Sequence, residues 1–167
     1  SRDLMEHKNR FYAYAIPYVW IVPESQQAIG TGLMIARNAR RIPPSSVDPT
    51  VKNFHWGDFV RGQLDVLDHP GVQVVLPDAD GYITEGPGFN VFALVNGEFI
   101  TPDRGVLEGV TRRAVLDVAA DEGIPARLGA LTVDDLSAAD EVFLTSTAGG
   151  VMPVVSVDGR VLGEGTP

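Results

Sequence analysis

The sequence contains no cysteine and only two lysines among its 167 residues. The lack of cysteine excludes disulfides, thiolate metal sites and cysteine nucleophiles. Of the 13 basic residues, 11 are arginine, so Lys8 and Lys52 are the two side-chain amines that could act as nucleophiles. The three histidines do not have the spacing of a histidine metal motif, and we predict no metal site.

Positive charge is also scarce, because 22 acidic residues leave a net charge of −9. This balance argues against nucleic acid and anionic membranes as partners. The longest apolar run, residues 11–22, contains Pro17 and is too short to span a bilayer. It also lacks the features of a secretory signal, so we expect a cytoplasmic protein.

The hydrophobic fraction of 44% at this length is typical of one globular domain. Residues 11–22 predict a buried strand, residues 53–68 a helix, residues 72–102 short antiparallel strands, and residues 109–122 a helix. Further signals are a helix cap at Thr132, a strand over residues 141–147 and a turn at Asp158-Gly159. The mixture predicts an α/β (α+β) domain or a pseudo-barrel.

Lys52 stands among apolar residues, with Val51 before it and Phe54 and Trp56 shortly after. A lysine in apolar surroundings loses proton affinity because its charged form is desolvated. The neutral amine is the form that attacks a carbonyl to make an imine. The alternative is a surface lysine whose stem packs on aromatic rings, and spacing alone favours that interpretation.

Three other segments suit a flat ring or a phosphate group. Glu85 lies in the glycine-containing segment YITEGPGFN, where a ligand can approach the backbone closely. Thr111 begins a helix, and residues 144–150 (LTSTAGG) end in hydroxyls and glycines. Each has a structural alternative, such as an exposed turn glutamate or a simple helix cap. A lysine, a carboxylate and two phosphate-binding segments together indicate a pyridoxal phosphate site.

The segments VDPTVKNFHWGD, GYITEGPGFNVF, TPDRGVLEGVTRRAV and DEVFLTSTAGGVMPV resemble, in order and spacing, the class IV (fold-type IV) aminotransferases. The resemblance extends from about Tyr18 to the end. PYVW, VKNFHWGD and TAGG are most similar to the (R)-selective amine transaminases within that family. The resemblance implies a large cofactor-binding pseudo-barrel domain, pyridoxal 5'-phosphate as cofactor, a homodimer, and transfer of an amino group from an amine to a keto acid such as pyruvate.

The resemblance also assigns roles to individual residues. Lys52 matches the lysine that holds the cofactor and moves protons, Glu85 the partner of the pyridine nitrogen, and Leu107 the residue packed on the ring. The predicted phosphate contacts are Val110, Thr111 and Thr147. The predicted substrate contacts are Trp56, Thr147 and Ala148.

By the same resemblance, residues 1–20 are a remnant of a small N-terminal domain, residues 21–29 an interdomain linker, and residues 30–167 the cofactor-binding domain. We expect most of the small domain, with its phosphate-binding arginine, to be absent. Branched-chain members have a tyrosine where this sequence has Trp56-Gly57, which weakens that assignment. The alternatives left open are a branched-chain or D-amino acid aminotransferase, an aminodeoxychorismate lyase, and a cofactor-binding module without turnover.

Overall fold

The computed structural model describes residues 3–167. Its strands join in one mixed sheet and are connected by short helices and loops. The helices are α1 (Glu24–Gln27), α2 (Gly57–Gln63), α3 (Val110–Asp121) and α4 (Val133–Ala138). The strands are β1 (Thr31–Ile35), β2 (Val72–Val75), β3 (Asn90–Val95), β4 (Glu98–Pro102), β5 (Ala126–Gly129), β6 (Glu141–Ser146), β7 (Gly150–Val157) and β8 (Arg160–Val161). Leu4–Glu6 and Leu64–Val66 form single 3-10 turns.

The sheet has the strand order β2-β1-β7-β6-β3-β4-β5, and β8 pairs with β7. Strand β1 is parallel to both β2 and β7, whereas β6 runs antiparallel to its neighbours β3 and β7 in the centre of the sheet. The mixed sheet with its helices confirms the predicted α/β class. Strands from both halves of the chain contribute to one buried apolar cluster, in which Leu33, Val91 and Leu144 are almost fully enclosed.

The prediction of antiparallel strands over residues 72–102 is confirmed for the β3–β4 hairpin and for a short hairpin over residues 76–85, and it is wrong for β2. Strands β3 and β4 pair antiparallel across a turn at Asn96 and Gly97, whose φ angles of 53° and 81° suit a tight hairpin. Strand β2 pairs parallel with β1 instead. After β2 the chain turns back at residues 78–81: Asp78 N donates to the Tyr82 carbonyl (2.7 Å), and Leu76 N donates to the Glu85 carbonyl (3.1 Å). An antiparallel bridge between Pro77 and Ile83 completes this short hairpin, which lies outside the named strands.

The buried strand predicted over residues 11–22 is absent. Phe11 is 92% exposed, and the residues up to Trp20 lie on the surface without a strand partner. The end of the run is held by hydrogen bonds: Tyr18 Oη donates to the Thr147 carbonyl (2.7 Å), and Ile21 N donates to the Ala148 carbonyl (2.8 Å). The carbonyls of Ile21 and Val22 also accept hydrogen bonds from glutamine side chains. Aromatic and β-branched content predicts a strand only where an edge is free to pair. Residues 1 and 2 of the predicted N-terminal remnant lie outside the described residues.

The helix predicted to begin at residue 53 begins four residues later, at Gly57. The side chain of Asn53 accepts a hydrogen bond from His55 N (2.8 Å), an Asx turn that competes with the helical backbone. Phe54 is consequently 98% exposed and does not join an apolar helix face.

The later helices agree with the sequence. Helix α3 ends before Gly123, whose φ of +68° is favourable for glycine. Helix α4 has a complete capping box: Thr132 Oγ1 accepts from Asp135 N (3.0 Å), and the Asp135 carboxylate accepts from Thr132 N (3.0 Å).

Thr132→Ala removes one half of this capping box and is expected to lower the free energy of unfolding by about 1 kcal/mol. The measurement is urea unfolding of the intact protein followed by circular dichroism. Ser137→Ala, in the same helix, is the control and is expected to change stability much less. Equal losses in the two variants would contradict the capping role.

Candidate active site

One cavity of about 340 Å³ gathers residues from five separate segments of the chain. Its lining includes Lys52, Glu85, Leu107, Thr111 and Thr147. This volume lies within the range of small-molecule sites. The sequence-predicted lysine, carboxylate and phosphate-binding segments therefore meet in one place.

Lys52 lies in the loop between β1 and α2 and is exposed at the cavity. The apolar surroundings expected from its sequence neighbours are not present, because Val51 and Phe54 are themselves exposed. The expected burial of the lysine was therefore wrong for this chain, although Val51 and Trp56 line the same cavity. Its place in the cavity lining does not depend on that argument.

Glu85 is buried, with 6% of its surface exposed. Its carboxylate accepts hydrogen bonds from Leu107 N (2.8 Å) and from the Asn90 side-chain amide (3.5 Å), and it pairs with Arg41 at 3.1 Å. Burial raises the pKa of Glu85 above its ordinary value, and the contacts from Leu107 N and Arg41 oppose that shift. The carboxylate is thus held in place by donors that stabilise its charge.

Arg41 is a residue that the sequence analysis missed. It is buried, its guanidinium lies between Asp58 (2.5 Å) and Glu85 (3.1 Å), and its Cζ stands 4.2 Å from the centre of the Phe59 ring. Burial acts to raise the pKa of Asp58, but hydrogen bonds from Ile42 N and Arg41 outweigh it and lower the pKa. The sequence shows two adjacent arginines, Arg40 and Arg41, before the proline-rich loop, but this pattern does not indicate that one of them is buried.

Helix α3 points its first turn into the cavity. Gly109 is its N-cap and has no side chain, so the N-cap residue supplies no side-chain cap to the first amides. Val110 is 75% exposed and Thr111 half-buried, and both line the cavity. The positive end of a helix dipole with free amides favours an anion. Thr147, from the segment after β6, lines the same cavity.

A buried hydroxyl without a partner faces this site. Thr145 Oγ1 makes no hydrogen bond within residues 3–167, although Thr145 is almost fully buried and lines the cavity. Asn90 is its cross-strand partner, so the two side chains share one face of the sheet. Such a group is costly unless a ligand or water satisfies it. Both Asn90 and Thr145 were missed by the sequence analysis.

Two of the three predicted substrate residues line the cavity. Trp56 lines the cavity and contacts the Phe59 ring edge-on, with 5.7 Å between ring centres. Thr147 also lines it, whereas Ala148 lies outside the lining. The backbone of Ala148 instead accepts a hydrogen bond from Ile21 N, which turns it towards the N-terminal segment.

Comparison with known proteins identifies the family. Residues 1–157 match the sequence profile described as amino-transferase class IV. The chain belongs to the class IV aminotransferases. The branched-chain-amino-acid aminotransferase of Escherichia coli K12 is 43% identical over 130 residues, which cover 75% of this chain and 41% of that enzyme. The branched-chain-amino-acid aminotransferase of Pseudomonas aeruginosa is 38% identical over 113 residues, covering 65% and 37%.

Solved structures agree. A crystal structure of the Escherichia coli branched-chain enzyme matches with a TM-score of 0.77 at 30% identity, covering 90% of this chain and 50% of that one. A T.th. branched-chain enzyme in complex with N-(5'-phosphopyridoxyl)-L-glutamate matches with a TM-score of 0.73 at 33% identity, covering 84% and 47%. This class IV aminotransferase chain thus spans about half the length of its structural relatives.

The described part of the chain holds neither a metal-binding cluster nor a membrane-spanning helix. Within residues 3–167, no group of three or more His, Asp or Glu side chains is placed to hold a metal ion. None of the helices in the same range has both the length and the apolar content to cross a membrane.

Glu85→Gln tests the cost of the buried charge in cofactor-free protein. Because burial raises the pKa of Glu85, the folded state binds the proton more tightly than the unfolded chain. The contribution of protonated Glu85 to the free energy of unfolding is therefore fully present below its ordinary pKa of 4.5. This contribution is lost as the pH rises through the higher pKa of the folded state. Glutamine does not titrate and has no such loss. The free energy of unfolding of the variant, relative to that of the wild type, should therefore increase from pH 4 to pH 7.

The measurement is the free energy of urea unfolding at both pH values. Glu98→Gln is the control, because Glu98 is partly exposed and pairs with Arg127 on the surface. We expect no comparable gain in that variant. A relative stability of Glu85→Gln that falls towards pH 7 would contradict the assignment.

Proposed function

We propose that the protein is a pyridoxal-phosphate-dependent transaminase that moves an amino group from an amine or amino acid to a keto acid. One observation carries the proposal: an exposed lysine, a buried carboxylate and an uncapped helix N-terminus line the same cavity. These three groups match the aldehyde, the ring nitrogen and the phosphate of that cofactor.

The residues present fit the cofactor on two further counts. Within residues 3–167, the Thr145 hydroxyl and Arg41 Nε are buried polar atoms without a hydrogen-bond partner, and both residues line the cavity. The T.th. branched-chain enzyme, at 33% identity, has also been crystallised with pyridoxamine 5'-phosphate. Lys52, Glu85 and Leu107 would hold the ring, and Val110, Thr111 and Thr147 the phosphate.

Each residue has a defined task in this proposal. When bound, pyridoxal phosphate supplies an electron sink that stabilises negative charge at the α-carbon of the substrate. Lys52 Nζ holds the cofactor and, once substrate has replaced it, takes the proton from the α-carbon and returns it during product formation. The Glu85 carboxylate keeps the proton on the ring nitrogen, and the helix amides fix the phosphate so that the reacting bond faces Lys52.

The finer substrate assignment has two candidates. The segments VKNFHWGD and TAGG, and Trp56 in the cavity lining, support an (R)-amine as donor. The names of the sequence and structural relatives support a branched-chain amino acid. We propose the (R)-amine donor, with pyruvate as acceptor, and a homodimer as the working assembly.

Borohydride reduction of the protein loaded with pyridoxal phosphate should fix the cofactor on Lys52, because Lys52 lines the cavity and Lys8 does not. Peptide mass mapping locates the adduct. Lys52→Ala should abolish the adduct and lower turnover by roughly a thousandfold or more. Lys8→Ala is the matched control, and an adduct on Lys8 would overturn the proposal.

A donor panel decides between the two substrate classes. With pyruvate as acceptor, kcat/KM for (R)-amines should exceed that for the (S)-enantiomers by about tenfold or more, because the pocket contacts differ between enantiomers. Faster reaction of (S)-amines or branched-chain L-amino acids would assign the protein to the other branch.

Trp56→Ala should alter the ratio of kcat/KM between donors, because Trp56 lines the cavity. Phe54→Ala removes an aromatic ring two residues away that lies outside the lining and should leave the ratio unchanged. Equal changes in the two variants would remove Trp56 from the substrate pocket.

A further inference from the structure

Asp58 joins the two ends of the loop that carries Lys52. Its Oδ2 accepts hydrogen bonds from Arg41 (2.5 Å) and from Ile42 N (2.9 Å), and its Oδ1 accepts from Phe59 N (2.9 Å). Both ends of the loop formed by residues 43–57 are therefore held at the Asp58 carboxylate. Closing a loop in this way lowers the entropy available to every residue within it, including Lys52.

The same carboxylate also fixes the partner of Glu85. Arg41 uses one guanidinium nitrogen for Asp58 and the other for Glu85, and its Cζ lies over the Phe59 ring. All three contacts hold the guanidinium in one orientation, and two of them come from adjacent residues at the start of α2. A guanidinium that bridges two carboxylates in this way couples the position of one carboxylate to that of the other.

We propose that Asp58 is a positioning residue, which acts through Arg41 to set the charge and orientation of Glu85 and at the same time closes the Lys52 loop. The proposal rests on the proposed function for its catalytic meaning. Asp58 itself lies outside the cavity lining and is not assigned a contact with the cofactor or the substrate.

The charged groups near Glu85 favour an aspartate over a neutral residue at position 58. Arg41 and Arg112 are the buried cations whose charges reach Glu85, and Lys52 and Glu108 line the same cavity. A negative charge at Asp58 offsets part of the charge of Arg41 and acts to raise the pKa of Glu85, so that the Glu85 carboxylate holds a proton on the ring nitrogen more strongly. Without it the undivided Arg41 charge would face Glu85 alone.

Asp58→Asn is the test variant, because it keeps the shape of the side chain and removes its charge. Asp65→Asn is the matched control: Asp65 also accepts hydrogen bonds from the same region of chain, at Arg37 N (2.8 Å) and Asn38 N (3.0 Å), but does not contact Arg41 or Glu85 in the structure. Both variants are expected to lose some stability, so stability alone does not decide the matter.

The first readout uses cofactor-free protein and trypsin. Lys52 is the only lysine or arginine in residues 43–57, so cleavage after Lys52 reports release of the loop. Asp58→Asn should raise the cleavage rate by about tenfold, and Asp65→Asn by much less. Equal rates in the two variants would overturn loop closure by Asp58.

The second readout is a double-mutant cycle with Glu85→Gln, also in cofactor-free protein. If Asp58 acts on Glu85 through Arg41, the two substitutions should be non-additive by about fivefold or more in the equilibrium constant for unfolding. Asp65→Asn and Glu85→Gln should be additive. Additivity for Asp58 would overturn the positioning role.

The third readout uses protein loaded with pyridoxal phosphate. The pH midpoint of the visible absorbance change should fall by about half a unit or more in Asp58→Asn and stay at the wild-type value in Asp65→Asn. An unchanged midpoint in Asp58→Asn would show that Asp58 closes the loop only, and would overturn the positioning role. Failure of the wild-type protein to bind pyridoxal phosphate would overturn the proposed function, while the first two readouts would still decide the role of Asp58.

Discussion

The cost of burying one carboxylate organises the site. An ionised glutamate removed from water is unfavourable unless donors replace the lost hydration, and Glu85 obtains them from three separate segments. Arg41 comes from the chain after β1, Asn90 from the first position of β3, and Leu107 N from the approach to α3. Each donor must therefore be placed before the carboxylate can be charged.

Asn90 links two of these segments further. Its side-chain amide also donates to the Leu107 carbonyl at 2.9 Å, so Leu107 contacts Glu85 with its amide and Asn90 with its carbonyl. Leu107, which would pack on a flat ring, is thus held in place by the same backbone groups that contact Glu85 and Asn90. Because Asn90 is the first residue of β3, the sheet fixes its position and, through it, the positions of Glu85 and Leu107.

Sequence reasoning located the parts of the site that have a local signature. Lys52, Glu85, Thr111 and Thr147 stand in segments with glycine, hydroxyl or aromatic signals, and the structure brings all four to one cavity. Arg41, Asn90 and Thr145 were missed, because their importance comes from burial and from pairing across distant segments. No local pattern specifies such pairing.

The fold follows the same division. Helix α3, helix α4 and the β3–β4 hairpin depend on caps and tight turns, which are short-range, and the sequence predicted them. The parallel pairing of β1 with β2, and the exposed course of residues 11–20, depend on which edges are free in the assembled sheet. Hydrophobic content alone therefore predicted a strand over residues 11–22 that does not exist.

The place of β1 in the sheet has a consequence for synthesis of the chain. Strand β1 is made before the other strands of the described sheet, yet one of its two edges pairs with β7, which is made after β2 to β6. Ile35 N, at the end of β1, donates to the side chain of Asp158, just beyond β7. Until that distant strand has been made, β1 presents an unpaired edge on which another chain could add. The nascent chain therefore remains open to association with other chains through β1 during the interval between the synthesis of β1 and that of β7.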